Sequence, residues 1–527
     1  MSPWPEPRTL AHWPLVPRPS TPILSAPDWI KPRRGQSKQA KANMKHKNNT
    51  RTRGRKLVTA LAATGAVASS ALGQVTNTPA AKDGMVSLAE AAPELYHAMR
   101  RNSEFYGDPN TQLGSLWDRT QLSGNWGGLR DQGTDHGIYF DASLTQFLQG
   151  NVSGGANSGH ARYNGTADYW LTLDSGKAGL WPGGALFMHA ESSWQAKKSQ
   201  NVNGDTGSLV PANFDATMPS NGQSQGIALP ELYYDQGLPG NLLAIVGKLD
   251  FAGIGDQNYF ANNERTEFLY TALVNNPIVG TFLPYTPLGA ALDWAPSKEH
   301  NVALLGCQND GNGTTSGFDK LNGNYSLAVQ YGYSPTIADR LPGDYRVLVA
   351  YSTKSFTDFN VDSQDLIGEI IGKVPVSKKD GNYAVLLDFD QYFWTRDAGQ
   401  APADAPSRKG LPPVGVGLFF RAGWEPEDRN VIDQFYSFGV GGYGGLPGRD
   451  RDQWGLGWAG SHISGDVRNA LSVLGRHPHD FENALEAFYN FAVTPATHVS
   501  VDLEVIKSAA AAVDTAVVLG TRLQFDF

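Results

Sequence analysis

Beyond residue 121 the chain alternates apolar and polar positions with period two. From Asn324 to Tyr333, residues Tyr325, Leu327, Val329, Tyr331 and Tyr333 share one face, and Ser326, Ala328, Gln330 and Gly332 share the other. Tyr345, Val347, Val349 and Tyr351 likewise oppose Arg346, Leu348, Ala350 and Ser352. Thr497, Val499, Val501, Leu503 and Val505 oppose His498, Ser500, Asp502, Glu504 and Ile506. The last segment sets Val517, Leu519, Thr521, Leu523, Phe525 and Phe527 against Val518, Gly520, Arg522, Gln524 and Asp526. Successive side chains of a strand point to opposite faces, so each segment reads as a strand with one apolar face. A soluble sandwich turns that face inward; a membrane barrel turns it to lipid and keeps the polar face for a wet lumen.

Three features favour the barrel. Ile138 to Gln149, Asn382 to Trp394 and Asp514 to Phe527 are long enough to cross a bilayer obliquely, which takes about 9–11 residues. Aromatic residues crowd the strand ends (Trp394, Trp424, Phe488, Tyr489, Phe491, Phe525), as in an interfacial girdle. Asp502, Glu504, Arg522 and Asp526 all fall on the less apolar face. At roughly 25 residues per strand and connection, the remaining chain makes about 16 strands, a porin-sized closed antiparallel barrel. The predicted fold class is therefore all-β, a transmembrane antiparallel barrel. Leu341-Pro-Gly-Asp344 and Thr494-Pro-Ala496 suit short periplasmic turns. Gln195 to Gly226 and Leu446 to Asp480 suit external or inward-folded loops.

Charge divides the chain. Residues 1–56 hold 13 Lys+Arg and 2 Asp+Glu, which leaves 30 against 49 in the rest. An acidic body excludes nucleic acid as a partner, because phosphate binding needs clustered cations. Lys45 to Lys56 is a basic run, Leu57 to Leu72 is uncharged and mostly apolar, and Ala71-Leu72-Gly73 offers small residues for cleavage before Gln74. This order reads as a secretory signal over residues 44–73 starting at Met44, with 1–43 a spurious extension. Residues 74–120 read as a periplasmic lead-in, disordered or helical around Ala89–Arg101, and 121–527 as the barrel. The 13 Trp, 20 Tyr and 23 Phe fit girdles and a stacking lining; the single cysteine, Cys307, reads as a small packed side chain.

Motifs of catalysis are poor. Gly439-Val-Gly441-Gly-Tyr-Gly444 has dinucleotide-loop spacing but no following helix pattern, and its glycines suit close packing of strands. His477 and His479 form the one close histidine pair, in a loop. No cofactor or metal is expected.

Several landmarks then resemble the carbohydrate-selective porins of the OprB family. They are Leu122-Ser-Gly-Asn-Trp-Gly-Gly-Leu-Arg130, Gly150-Asn-Val-Ser-Gly-Gly155, Asp174-Ser-Gly-Lys-Ala-Gly-Leu-Trp-Pro-Gly-Gly184 with His189-Ala-Glu191, Gly247-Lys-Leu-Asp250, Phe260-Ala-Asn-Asn263, Asn275-Asn-Pro277 through Pro284-Tyr285, Phe488-Tyr-Asn-Phe491 and Val518-Leu-Gly-Thr-Arg-Leu523. The resemblance covers roughly residues 115–527 in order. It implies a bacterial outer-membrane channel through which glucose and similar sugars diffuse passively. Its implied partners are small sugars, outer-membrane lipids and the barrel-assembly machinery, which would read a closing aromatic such as Phe527. Oligomeric state stays open. A general diffusion porin and a secreted β-rich carbohydrate hydrolase are the competing readings, and a hydrolase would need a carboxylate pair about 5–10 Å apart.

A sugar pore needs weak, multiple polar contacts and flat apolar surfaces. Asp168 and Trp170 share one strand face, as do His189 and Glu191, with Trp194 at that strand's end. Trp170 reads as a stacking platform or as loop packing, and Glu191 as a constriction residue or plain lumen wall. Arg265, between Glu264 and Glu267, reads as part of a constricting loop or as a surface ion pair. Arg346, Arg421, Glu504 and Arg522 share inward parity and read as lumen electrostatics.

Overall fold

The computed structural model describes residues 114–527 apart from 197–200, 220–223, 319–320, 322, 363–364, 366–374 and 397–412. The expected extension (1–43), signal (44–73) and most of the lead-in (74–120), with its helix at Ala89–Arg101, lie outside the described residues.

Among the described residues sixteen strands form one closed antiparallel barrel. They are β1 (Ile138–Gly155), β2 (His160–Asp174), β3 (Gly184–Gln195), β4 (Gln225–Leu238), β5 (Leu242–Lys248), β6 (Leu288–Trp294), β7 (His300–Gln308) and β8 (Tyr325–Tyr333). They continue as β9 (Leu341–Thr357), β10 (Lys378–Thr395), β11 (Gly415–Trp424), β12 (Ile432–Tyr443), β13 (Gln453–Ile463), β14 (Phe481–Thr494), β15 (Thr497–Lys507) and β16 (Asp514–Asp526). Each strand pairs with its sequence neighbours, and β16 returns to β1, with Leu144 opposite Phe525. Closure leaves no unpaired edge.

The alternation resolves into an outer and an inner face. On β8, Leu327, Val329 and Tyr331 are 49%, 50% and 43% exposed, whereas Ser326, Ala328 and Gln330 are 0–3% exposed. An outward apolar band of this kind faces lipid. Rings of His300, Tyr333, Tyr345, Phe389 and Phe420 form a cross-strand row from β7 to β11 that starts at one rim, stacked except for the tilted Tyr345–Phe389 pair. That rim also carries the short connections 239–241, 295–299 and 495–496, together with the start of β1 and the end of β16. Short turns mark the periplasmic side of such barrels. Residues 249–287 and 464–480 connect strands at the opposite rim.

Two expectations about connections are corrected. Leu446–Asp480 is not one loop, because it contains β13 and a helix, Gly465–Val473. Its inward face is Gly455, Gly457, Ala459 and Ser461, which hid the strand from a reading that looked for bulky alternation. Leu341–Asp344 is the start of β9: Leu341 and Pro342 pair with Ile337 and Thr336, and the turn falls at Ala338–Arg340.

Before β1, residues 114–137 form turns and a short helix, Leu129–Asp135, which packs under the barrel end. Arg130 of this helix donates to the main-chain oxygens of Gly124, Phe140 and Phe527. Phe527 itself donates its N–H to Ala142, which extends the closing seam by one residue.

The outer band makes a direct prediction. Leu503 is 42% exposed in mid-strand on β15. Leu503→Arg should lower barrel stability by about 2–4 kcal/mol, the cost of a cation on a lipid face near the midplane. Urea titration of refolded protein in lipid vesicles checks it; an unchanged midpoint would place this face away from hydrocarbon.

Candidate functional site inside the barrel

The lumen is not empty. Strands β5 and β6 are only seven residues each, because the chain leaves the wall early and turns inward over residues 249–287. Phe251, Phe260, Phe268, Tyr270, Leu273, Val279 and Phe282 of this segment are at most 2% exposed. They pack on Leu348, Phe419 and Phe488, inward residues of the wall. The wall makes room with glycine: a Cβ on Gly417 or Gly441 would come within 2.5 and 2.6 Å of Phe260. The dinucleotide-like spacing 439–444 is thus part of a bare strip under an aromatic ring.

A backbone inside a barrel needs partners for its N–H and C=O groups. Charged wall residues supply them. Arg421 is fully buried and donates to the carbonyls of Ala261 (2.6 Å), Leu273 (3.0 Å) and Val274 (3.1 Å), and to Asp256 Oδ1 (2.6 Å). Arg522 donates to the carbonyls of Glu264 (2.5 Å) and Glu267 (2.7 Å). Glu486 accepts the N–H groups of Leu269 (2.6 Å) and Tyr270 (2.9 Å). Glu482 accepts those of Leu209 (2.7 Å) and Val210 (2.8 Å), from a second inward segment between β3 and β4.

Between these two segments and strands β2–β4 lies a cavity of about 280 Å³. The wall contributes Asp168, Trp170, His189, Glu191 and Glu231; the inward segments contribute Asp215, Asp250, Glu264, Arg265 and Tyr285. His189 is clamped between carboxylates, with Nε2 2.9 Å from Asp168 Oδ1 and Nδ1 3.1 Å from Glu231 Oε2. Its ring stacks on Trp170, centroids 5.0 Å apart and planes 9° apart. Arg265 reaches from the inward segment to the Trp170 ring (4.9 Å) and to Asp168 Oδ2 (3.6 Å). Carboxylates outnumber cations around this space. Withdrawal from water, then the neighbouring Glu231, pushes Asp250 up to about 7. Withdrawal from water also raises Asp215 and, against the pull of Arg265, Glu264.

A closed barrel narrowed from within around a polar and aromatic cavity is the architecture of a porin. Residues 158–527 match the family described as "Carbohydrate-selective porin, OprB family". The chain belongs to that family. Porin B of Pseudomonas aeruginosa is 23% identical over 440 residues, covering 77% of this chain and 91% of that relative. The high pH structure of Pseudomonas putida OprB aligns with a TM-score of 0.65 at 20% identity, covering 77% of this chain and 98% of that one; this likeness shows the fold. The protein is accordingly a sugar porin of the bacterial outer membrane, a channel by family and fold.

Within this OprB-family barrel the residues singled out from sequence fall into three groups. Asp168, Trp170, Glu191 and Arg265 meet around the cavity. Arg421, Arg522 and Glu504 face inward but are at most 1% exposed, so they line no open passage. The two arginines hold the inward segment, and Glu504 accepts from Gln149 (3.3 Å) behind it. Arg346 pairs with Asp344 (2.9 Å) and holds Gln257 of the inward segment (2.7 Å). Parity predicted their direction; it could not show which wall a connection would cover. Trp194 is a correction. Glu191 and Ser193 point inward, so Trp194 points out, lying over Gly165 and donating to Tyr163 Oη (3.1 Å). Sequence reading missed Glu231, Asp215, Glu482 and Glu486. The first sits in the Pro230-Glu231-Leu-Tyr-Tyr-Asp235 run and the last two share an inward face, but nothing in the sequence shows what they meet.

Arg421→Met would leave Asp256 and three carbonyls without their donor. Stability should fall by about 3–5 kcal/mol, the usual penalty for breaking a buried pair, and single-channel conductance should rise as the inward segment loosens. Urea titration and bilayer recording check both; a variant with wild-type conductance would show the segment to be held by its aromatic packing alone.

Proposed function

We propose that small neutral sugars such as glucose diffuse passively through this barrel by way of the Asp168–Trp170–Glu191–Arg265 cavity. The observation that carries this reading is the stack itself: an indole ring flanked by carboxylates and one guanidinium, inside a closed barrel. Sugar C–H groups meet the indole by displacing Arg265, which lies over its ring at 4.9 Å, and the charged groups offer acceptors and donors to hydroxyls. The cavity is at the low end of small-molecule sites, about 300–1,000 Å³, a size suited to monosaccharides. Asp168, His189, Glu231 and Arg265 already bond to one another, so a passing sugar exchanges contacts with them, while the Glu191 carboxylate, to which no described residue donates, accepts a hydroxyl outright. Weak, replaceable contacts are what conduction requires. No bond of the sugar is made or broken. Phe527, at the closing seam, is the residue we assign to recognition by the assembly machinery, and the outer band to outer-membrane lipids.

Two measurements test the reading. Sugar blockade of ion current should give an affinity about three- to tenfold weaker in Trp170→Ala, from loss of an aromatic contact of about 0.5–1.5 kcal/mol. Unchanged blockade would move the sugar path elsewhere in the lumen. Ion selectivity should depend on pH. Asp250 is raised to about 7, so it is neutral below that pH and ionised above it, and Asp215 and Glu264 are shifted in the same direction. The cavity therefore gains negative charge as pH rises from about 6 to about 8, and cation preference should rise with it. Reversal potentials in a KCl gradient check this, and Asp250→Asn should flatten the step; anion preference or a pH-independent potential would contradict it.

A further inference from the structure

We propose that Asp168, His189 and Glu191 bind a divalent metal ion of the zinc class at the wall of the cavity. One ligand atom from each of the three lies within 4.8 Å of the others. Donors about 2.0–2.2 Å from one ion lie at most about 4.4 Å apart, so the three side chains would draw together by some tenths of an ångström on binding. A trio of acidic and imidazole groups would not by itself be a site, but two further observations aim at a cation. Glu191 is 3% exposed and no hydrogen bond reaches its carboxylate from the described residues, although it lines the cavity. Asp215 faces the same cavity with Oδ1 buried and unpartnered.

The surroundings of His189 also fit. Its Nδ1 is held by Glu231 Oε2 at 3.1 Å, which leaves Nε2 directed at Asp168. Glu231 is fixed in turn, because its Oε1 accepts the N–H of Asp250 (2.9 Å). A carboxylate behind a histidine, orienting it and raising its basicity, is the usual support of a metal-ligating imidazole. An ion would replace the proton now shared between Nε2 and Asp168 Oδ1, and that proton would leave to solvent. Asp168 Oδ2 keeps its contact with Arg265. Three protein ligands leave a fourth position open to the cavity for water. The imidazole selects zinc-like ions over magnesium and calcium, which take oxygen ligands. A bound ion adds positive charge and bulk beside Trp170, so zinc should restrict current through the same space. The inference rests on this wall geometry and not on sugar transport.

The test uses the folded full barrel in detergent. Equilibrium dialysis against Zn²⁺ with elemental analysis should give one tight site per barrel. Affinity should fall at least tenfold in His189→Gln and in Glu191→Gln, and about 10–100-fold in Glu231→Gln, which touches no metal. Zn²⁺ should reduce wild-type conductance where an equal concentration of Mg²⁺ does not. Heat-modifiable electrophoretic mobility confirms that each variant is a closed barrel, and His189→Gln and Glu191→Gln serve as independent arms should one not fold. Absence of a saturable site in the wild type, variants that bind as tightly as the wild type, or loss of binding on replacing His477 and His479 instead would each overturn the proposal. Sugar flux without metal is recorded on the same preparations, so failure of the metal site and failure of the sugar path are read separately.

Discussion

The structure depends on buried wall charges that hold the backbone of chain folded into the lumen. Sixteen strands enclose a space wide enough for water. A segment entering it loses its neighbours along the chain and must satisfy its own amides. Arg421, Arg522, Glu482 and Glu486 do this from strands β11, β16 and β14, each meeting two or more main-chain groups. Charge-assisted bonds are roughly twice as strong as neutral ones. They also offset the cost of burying the charges, since each ion is solvated by peptide dipoles instead of water. Arg421 has a counter-ion as well, Asp256, whose other oxygen accepts the N–H of Asn276 (2.5 Å). One ionic node thereby links three points of the inward segment to a single strand.

Polar latching positions the segment, and apolar contact presses it to the wall. Phe260 lies on Gly417 and Gly441, and its ring is tilted against Tyr392 (4.7 Å). Phe268 meets Phe419 and Phe488 edge-on at 5.5 and 4.8 Å. On this side of the barrel, β11 to β14 present glycine and aromatic residues inward beside the latching charges Arg421, Glu482 and Glu486, because they face protein, not water. Of the acidic residues that line the cavity, Asp168, Glu191, Glu231 and Asp235 stand opposite on β2 to β4, and Asp215, Asp250 and Glu264 on the inward segments. The division of the lumen into a filled half and a wet half follows from where the inward segment is latched.

Much of the fold was legible because alternation is written residue by residue. The faces of β8, β9, β15 and β16 follow from sequence, and so do the outward band and the closing seam at Phe527. β13 was not legible, because its inward side chains are too small to mark a period; neither was the start of β9, where Leu341-Pro-Gly-Asp344 resembles a turn. Of the site, Asp168, Trp170, Glu191 and Arg265 could be picked out as chemistry suited to a sugar, but their meeting could not. Asp168 and Glu191 are cross-strand partners, which register alone can show. Arg265 reaches them from another part of the chain. Arg421 and Arg522 illustrate the limit most sharply: their direction was readable, but their role is set by residues 256–274, which share no periodic relation with them. The landmarks Asp250, Phe260-Ala-Asn-Asn263 and Asn275-Asn-Pro277 all belong to the segment they hold, so the resemblance to the family had marked the inward segment without showing its course.

The same latching explains how the cavity can be rich in charge without trapping what enters it. Asp168 is engaged by His189 and Arg265, Glu231 by His189 and the Asp250 amide, and Asp215 by Thr166 Oγ1 (3.1 Å). These bonds are internal to the wall and the inward segment. A hydroxyl arriving at Asp168 finds a carboxylate that has lone pairs left but no unmet need. On the proposed path the gain from that contact would be small because the carboxylate is not left bare, and the loss on departure would be small for the same reason. Were the inward segment released, Arg265 would leave Asp168 and Trp170, and the wall carboxylates would face water or solute directly. On the proposed path, weak binding would therefore be a property of the whole assembly: the charges in β11, β14 and β16 that hold the segment would also set the strength of contacts on β2 and β3.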